Sequence, residues 1–291
     1  MESLNKIEQI TCSTALNKLK RSVPYGWDLN IYRGCEHACK YCYAIYSHEY
    51  LNESDFSKVF AKTNVAEQLD RELSQPTWKR ETINIGGVTD SYQPAEAVQK
   101  IMPEVLKVLI KHKTPAIIST KSDLILRDYD LIDELSRITY VNVASTIVTT
   151  DENIRQLIEP KGSSSFARFA MLKEFRKTNA SVGLHTMPII PYLTDSFTNI
   201  ESLCSEAQKA NVHYMLPGVL YLRGATRKVF FDFILQTYPE KYEQLKDLYK
   251  KGGADEIYKG KLYNEVVNPL REKYQISSSY IKPMKEKMHK Q

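Results

Sequence analysis

The sequence predicts an α/β fold of parallel strands, in a partial TIM-like barrel or an open doubly wound sheet, on three observations. Six short apolar, β-branched segments recur along the chain. Amphipathic segments with apolar residues at 3.6-residue spacing lie between them. Successive strand candidates begin roughly 25 to 50 residues apart, room enough for the right-handed helical crossover that parallel neighbours require.

In chain order the strand candidates are Asp28 to Tyr32, Thr82 to Ile85, Ala116 to Ser119, Val141 to Ile147, Ser181 to Met187 and His213 to Leu220. The helix candidates are Val65 to Leu73, Ala97 to Lys111, Asp130 to Arg137, Phe166 to Lys177 and Ile200 to Ala210. Residues 1–27 read as an arm packed on the barrel, because the basic and apolar stretch from Leu16 to Trp27 has no clear period. After the last strand, the Gly252-Gly253 pair and a Tyr-rich helical pattern mark a C-terminal helical extension over 226–291. Residues 28–225 are left for the barrel. In either architecture the functional groups gather beyond the carboxyl ends of the strands.

Hydrophobic residues make up 42% and charged residues 26% of the 291, as in a globular domain. The opening MESLNKIEQITCST has no apolar core of a secretion signal, and no run of about 18 apolar residues occurs, so a cytoplasmic protein without a membrane partner is expected. The net charge is +5, and residues 259–291 alone hold eight Lys/Arg against three Glu, which accounts for all of it. A basic tail of this kind touches nucleic acid in some proteins, but more often simply solubilises a terminus.

The segment GCEHACKYCYA places Cys35, Cys39 and Cys42 at C-x3-C-x2-C spacing directly after the first strand. Three thiolates converging there hold a [4Fe-4S] cube with one iron left open for a ligand. Zinc competes, since His37 or His48 would complete four ligands, although no second Cys or His pair follows at the spacing zinc modules use. Cys12 and Cys204 stand apart, so the five cysteines make no disulfide framework.

The C-x3-C-x-aromatic-C pattern, with Tyr41 as the aromatic, resembles the signature of the radical S-adenosylmethionine (radical SAM) superfamily. The strings LNIYRGCEHACKYCYA, IGGVTDSYQPAE, STKSDLILRD and IEP resemble its branch that contains spore photoproduct lyase. The resemblance covers roughly residues 10 to 250 and implies the partial (β/α)6 barrel rather than the open sheet. It also implies a [4Fe-4S] cluster on the three cysteines, S-adenosylmethionine as cofactor, and an electron donor such as flavodoxin or ferredoxin. Gly86, Gly87, Thr89 and Asp90 stand where the superfamily's glycine-rich motif receives the cofactor's amino group, although a strand-to-helix turn capped by Asp90 would explain them equally. Lys121, ending the third strand, matches a lysine that faces the cofactor carboxylate.

Ser145, with Thr146 beside it, ends the fourth strand within reach of the ribose or carboxylate, and Arg168 offers that carboxylate a planar fork. Tyr43, Tyr92, Tyr221 and Arg223 fall at or beyond strand ends, the tyrosines as candidates to position substrate or relay hydrogen, although most of the 19 Tyr must be packing residues. His185, flanked by apolar residues in VGLHTMPIIP, reads as a hydrogen-bonded core histidine. The substrate implied by the resemblance is a DNA lesion. Two features count against direct transfer of that activity. Repair members of the branch carry a hydrogen-donating cysteine near the glycine-rich motif, whereas INIGGVTDSYQP has none, and the basic surplus is confined to the tail. The alternatives are a radical enzyme on a non-DNA substrate and a non-catalytic iron-sulfur or zinc module.

Overall fold

Six parallel strands carry the site, and the reason they are parallel is the helix interposed between each pair. The computed structural model describes residues 7–20, 25–51 and 55–288; residues 1–6 and 21–24 of the expected arm and Lys290 of the basic tail lie outside the described residues. In order the elements are β1 (Glu8–Ile10), β2 (Leu16–Lys18), β3 (Trp27–Leu29), β4 (Tyr32–Arg33), β5 (Phe60–Lys62), α1 (Val65–Leu73), β6 (Ile83–Ile85), α2 (Glu96–Gln99), α3 (Ile101–His112), β7 (Ala116–Thr120), α4 (Tyr129–Ile138) and β8 (Val141–Thr146). There follow α5 (Glu152–Ile158), α6 (Ser165–Phe175), β9 (Ser181–Ile189), α7 (Phe197–Lys209), β10 (Tyr214–Val219), α8 (Ala225–Thr237), α9 (Tyr242–Leu248), α10 (Glu256–Leu262), α11 (Asn268–Lys273) and α12 (Ile281–Met288).

The main sheet runs β10-β9-β8-β7-β6-β3-β2, with β3 and β6 to β10 parallel and β2 antiparallel at the edge. It is an open, partial TIM-like barrel. Alternation along each strand assigns two faces. Ile83, Ile85, Ile118, Val141, Val143, Val182 and Leu184 point outward and are buried with Leu106, Leu109, Ile132, Leu135, Leu172, Phe175 and Leu203 of the helices. Asn84, Ile117, Ser119, Asn142 and His185 take the opposite parity and line the interior. Truncating a fully buried anchor such as Phe175 to Ala costs about 3–5 kcal/mol by the usual core-cavity rule.

The structure divides what reads in sequence as one strand from Asp28 to Tyr32. Trp27–Leu29 joins the main sheet, whereas Tyr32–Arg33 turns away to pair with β5 in a second sheet ordered β1-β5-β4. The expected arm therefore contributes strands to both sheets. The expected helix from Ala97 to Lys111 is interrupted at Lys100, whose φ is +51°. Helix α5 was not expected. It is only seven residues long, and it starts where the Asp151 carboxylate accepts the Asn153 and Ile154 amides at 2.8 and 3.2 Å. The C-terminal segment is helical as expected. Phe230, Phe233, Ile234, Leu245 and Tyr249 form a second apolar cluster, and Leu262, Val267 and Leu270 join the main core.

Candidate functional site

A cavity of about 690 Å³ opens inside the barrel, and the loops after the strands bring chemistry to it from four directions. The loop after β4 supplies Cys35, His37, Cys39, Tyr41, Cys42 and Tyr43; that after β6 supplies Gly86 to Asp90. Lys121 follows β7, and β8 to β10 supply Asn142, Thr146, His185, Tyr214 and their neighbours. The cysteine loop is bent tightly, with Ala38 in the left-handed region at φ +52°, a conformation a non-glycine residue keeps only when its surroundings impose it.

All three thiols are pushed up, in each case by burial first: Cys35 to about 12, with Asp90 adding to the effect, and Cys39 and Cys42 also above the usual thiol range. Among the described residues, no three Cys, His, Asp or Glu side chains converge on the position of a single metal ion. The three sulfurs instead border one open volume.

The glycine turn needs its glycines. Gly86 has φ +82°, and a Cβ on Gly87 would stand 2.7 Å from Asn84 Nδ2 and 3.0 Å from Asp28 Oδ1. Asn30 Oδ1 accepts the Val88 and Thr89 amides, at 2.8 and 3.3 Å. Asp90 is more than a turn cap. Its carboxylate accepts from the Tyr92 amide at 2.9 Å, the Thr120 hydroxyl at 2.8 Å and the Lys121 amide at 2.7 Å, so it ties β6 to β7. Lys121 extends over the Tyr41 ring, 5.8 Å from its centroid. Burial pulls its ammonium down, but Cys39, Glu159, Asp90 and Cys42 outweigh that and hold it above the ordinary lysine range. Among the described residues it is the only Lys or Arg lining the cavity.

Cys35, Cys39, Cys42, Tyr41, Gly86, Gly87, Thr89, Asp90 and Lys121 thus come together, and Thr146, Tyr43 and Tyr221 also line the cavity. Ser145 and Arg168 do not. Ser145 is buried, and its hydroxyl donates to the Thr120 carbonyl at 2.8 Å, joining β8 to β7. Arg168 is fully buried behind the cavity wall, paired with Glu159 at 2.6 Å and donating to the Thr146 and Ser163 carbonyls. Tyr92 is buried with its hydroxyl on Asp128, and Arg223 is exposed outside the cavity. His48 packs between Phe56 and Phe60; Cys12 sits beside Asn64, and Cys204 lies inside α7 next to Met215.

Two groups of residues escaped the sequence reading. His185 is not a core histidine. It lines the cavity, held neutral with a pKa of about 4 by burial and then by Lys121, and its Nε2 stands 3.4 Å from the Tyr214 hydroxyl. That hydroxyl donates to Asn142 Oδ1 at 3.0 Å, so Asn142, Tyr214 and His185 form a linked polar floor, with Tyr140 and Tyr280 beside them. The only local signal was the polar Asn142 between Val141 and Val143. The second is Glu159, a fully buried carboxylate that accepts the Tyr41 hydroxyl and pairs with Arg168. The signal for it was the string IEP.

Residues 29–204 match the family model described as the radical SAM superfamily. The chain belongs to the radical SAM superfamily. Relatives include uncharacterized proteins of Mycobacterium tuberculosis, 34% identical over 94% of this chain and 82% of theirs, and of Methanocaldococcus jannaschii, 30% identical over 84% and 86%. In fold it is similar to spore photoproduct lyase with bound S-adenosylmethionine and dinucleoside spore photoproduct, at TM-score 0.66, 13% identity, and coverage of 91% of this chain and 78% of that one. It is a radical SAM enzyme, and a [4Fe-4S] cluster and S-adenosylmethionine are the superfamily's cofactors. The residues present suit both: three cysteines without a fourth leave one iron of a cube open, and a lysine and a carboxylate stand at the same cavity for an amino acid's two charged ends. Among the described residues, no helix is long and apolar enough to cross a membrane.

Proposed function

We propose that this radical SAM enzyme holds its cluster on Cys35, Cys39 and Cys42 and receives S-adenosylmethionine between the Gly86–Asp90 turn and Lys121. The observation that carries the reading is the opening of these three cysteines onto the one cavity that Asp90 and Lys121 also face. Carbonyls of the glycine turn and the Asp90 carboxylate accept from the ammonium of the methionine moiety, and Lys121 pairs with its carboxylate. The Tyr41 ring and the buried walls exclude water, which would otherwise screen these charges. Cys35, Cys39 and Cys42 would hold the cluster, which would supply the electron for reductive cleavage of the sulfonium and so initiate hydrogen abstraction from substrate. The polar floor of Asn142, Tyr214 and His185 faces that substrate.

A DNA lesion is the reading supported by the fold's likeness to spore photoproduct lyase. A non-DNA substrate is favoured by two observations. Lys121 is the only Lys or Arg lining the cavity among the described residues, and part of the basic tail is already paired, Lys273 with Glu201 at 2.5 Å and Lys259 with Glu256. Comparing turnover of irradiated and plain oligonucleotides separates the two. The electron donor is taken to be a flavodoxin or ferredoxin of the cytoplasm.

Anaerobic reconstitution with iron and sulfide tests the reading. The parent should gain a brown chromophore with about four irons per chain and, with dithionite and S-adenosylmethionine, form 5′-deoxyadenosine, while Cys39→Ala gives neither. A chromophore without 5′-deoxyadenosine would make the protein an electron-transfer module; absence of both would reject the assignment.

A further inference from the structure

The cysteine loop is strained at Ala38, so something must hold it, and the contacts that do so converge on one turn. Residues 158–163, the last residue of α5 and the turn after it, touch the loop three times. The Ile158 carbonyl accepts the Lys40 amide at 2.9 Å, the Lys161 amide donates to the His37 carbonyl at 3.4 Å, and Glu159 accepts the Tyr41 hydroxyl. The same turn reaches the cofactor lysine, because the Ser163 amide donates to the Lys121 carbonyl at 3.0 Å. Arg155 donates to the Glu159 and Gly162 carbonyls at 3.1 and 2.9 Å and fixes the turn's shape.

Glu159 and Arg168 are both fully buried. Two ions taken from water gain little net stability from their pairing, so such a pair is better explained by the geometry it enforces. Here the geometry is legible: Arg168 is anchored on the carbonyls of Thr146 and Ser163, and it holds Glu159 against the one side chain between Cys39 and Cys42 that carries a hydroxyl.

We propose that the turn over residues 158–163 is a latch that keeps the cysteine loop in ligand geometry, with Glu159 and Arg168 as positioning residues acting through Tyr41. The assignment rests on the proposed role of the three cysteines, and it gives Arg168 a task other than meeting the cofactor.

The test removes the link while sparing the fold. In the reconstituted full chain, Tyr41→Phe should lose iron to a ferrous chelator about 10-fold faster than the parent, the scale expected for one hydrogen bond to a charged acceptor. The double variant Glu159→Gln, Arg168→Met removes the charged pair that holds Tyr41 and buries no lone charge, so it should also lose iron about 3- to 10-fold faster than the parent. Iron loss at the parental rate from either variant would overturn the latch.

A second readout needs no cluster: alkylation of Cys39 by iodoacetamide in the metal-free chain, mapped by peptide mass. It should rise about 10-fold in Tyr41→Phe while Cys204, buried in α7, stays protected as the check on folding. Unchanged Cys39 reactivity refutes the latch even if no cubane forms in the parent, an outcome that would by itself sink only the reading of the cysteines.

Discussion

The two sides of the cavity are built by opposite rules. On the side proposed to hold the cofactors, Cys35, Cys39, Cys42, Gly86, Gly87, Asp90 and Lys121 come from three loops, each a short local string with a chemistry of its own. On the far side, Asn142, His185 and Tyr214 come one from each of three strands and are joined by hydrogen bonds spanning 29 and 72 residues. A charge or a thiolate demands a particular residue at a particular spacing. A neutral polar floor only requires that some donor and some acceptor meet, and many sequences satisfy that.

The sharpest way to break this comparison is to remove the charge on the cofactor side. Lys121→Met keeps the stem and loses the ammonium. With a charge-assisted bond worth about 1.5–3 kcal/mol, binding of S-adenosylmethionine to the reconstituted protein should weaken about 10- to 100-fold, read by equilibrium dialysis, with iron content unchanged. Unaltered affinity would move the carboxylate site elsewhere on the cavity wall.

The thiols predict a pH dependence of intermediate size. Cys35 has a folded pKa of about 12, above its ordinary value of 9.0, so folding favours its protonated form. The stability this gives the metal-free chain is complete below about pH 9 and is lost as pH rises toward 12. At pH 10.5 one such thiol accounts for about 2 kcal/mol, or about 5 °C in melting temperature. Metal-free Cys35→Ala should therefore lose less melting temperature than the parent between pH 8 and 10.5, by that margin. Cluster assembly must displace these protons, so iron uptake should strengthen with pH over the same range. Equal losses in parent and variant would show that Cys35 is not held as a buried thiol.

The same contrast explains what could be read before the fold was known. All six parallel strands were visible, because β-branched runs such as Ala116–Thr120 and Val141–Thr146 are buried on both faces and carry little polar interruption. The split of the first strand was not, since nothing local in WDLNIYR says that Tyr32 will pair with Ala61 rather than continue beside β6. Ser145 and Arg168 were placed at strand and helix ends, correctly, but periodicity does not say which wall a side chain faces. Ser145 turns to β7, and Arg168 turns to a carboxylate nine residues earlier whose partner, Tyr41, lies 118 residues away. His185 reads as core because its neighbours in sequence are apolar, while its parity points it inward.

The smallest effect is expected on the floor, and it is the one that most directly separates the two sides. Tyr214→Phe deletes the hydroxyl that donates to Asn142 at 3.0 Å and stands 3.4 Å from His185, while the ring still packs in the wall. A single neutral hydrogen bond of this kind is worth about 1 kcal/mol, so the melting temperature should fall by only about 2–4 °C. Formation of 5′-deoxyadenosine without substrate should stay within about twofold of the parent, because no cofactor contact is assigned to the floor. A tenfold fall in that uncoupled rate, with iron content intact, would place Tyr214 on the cofactor and dissolve the division between the two sides.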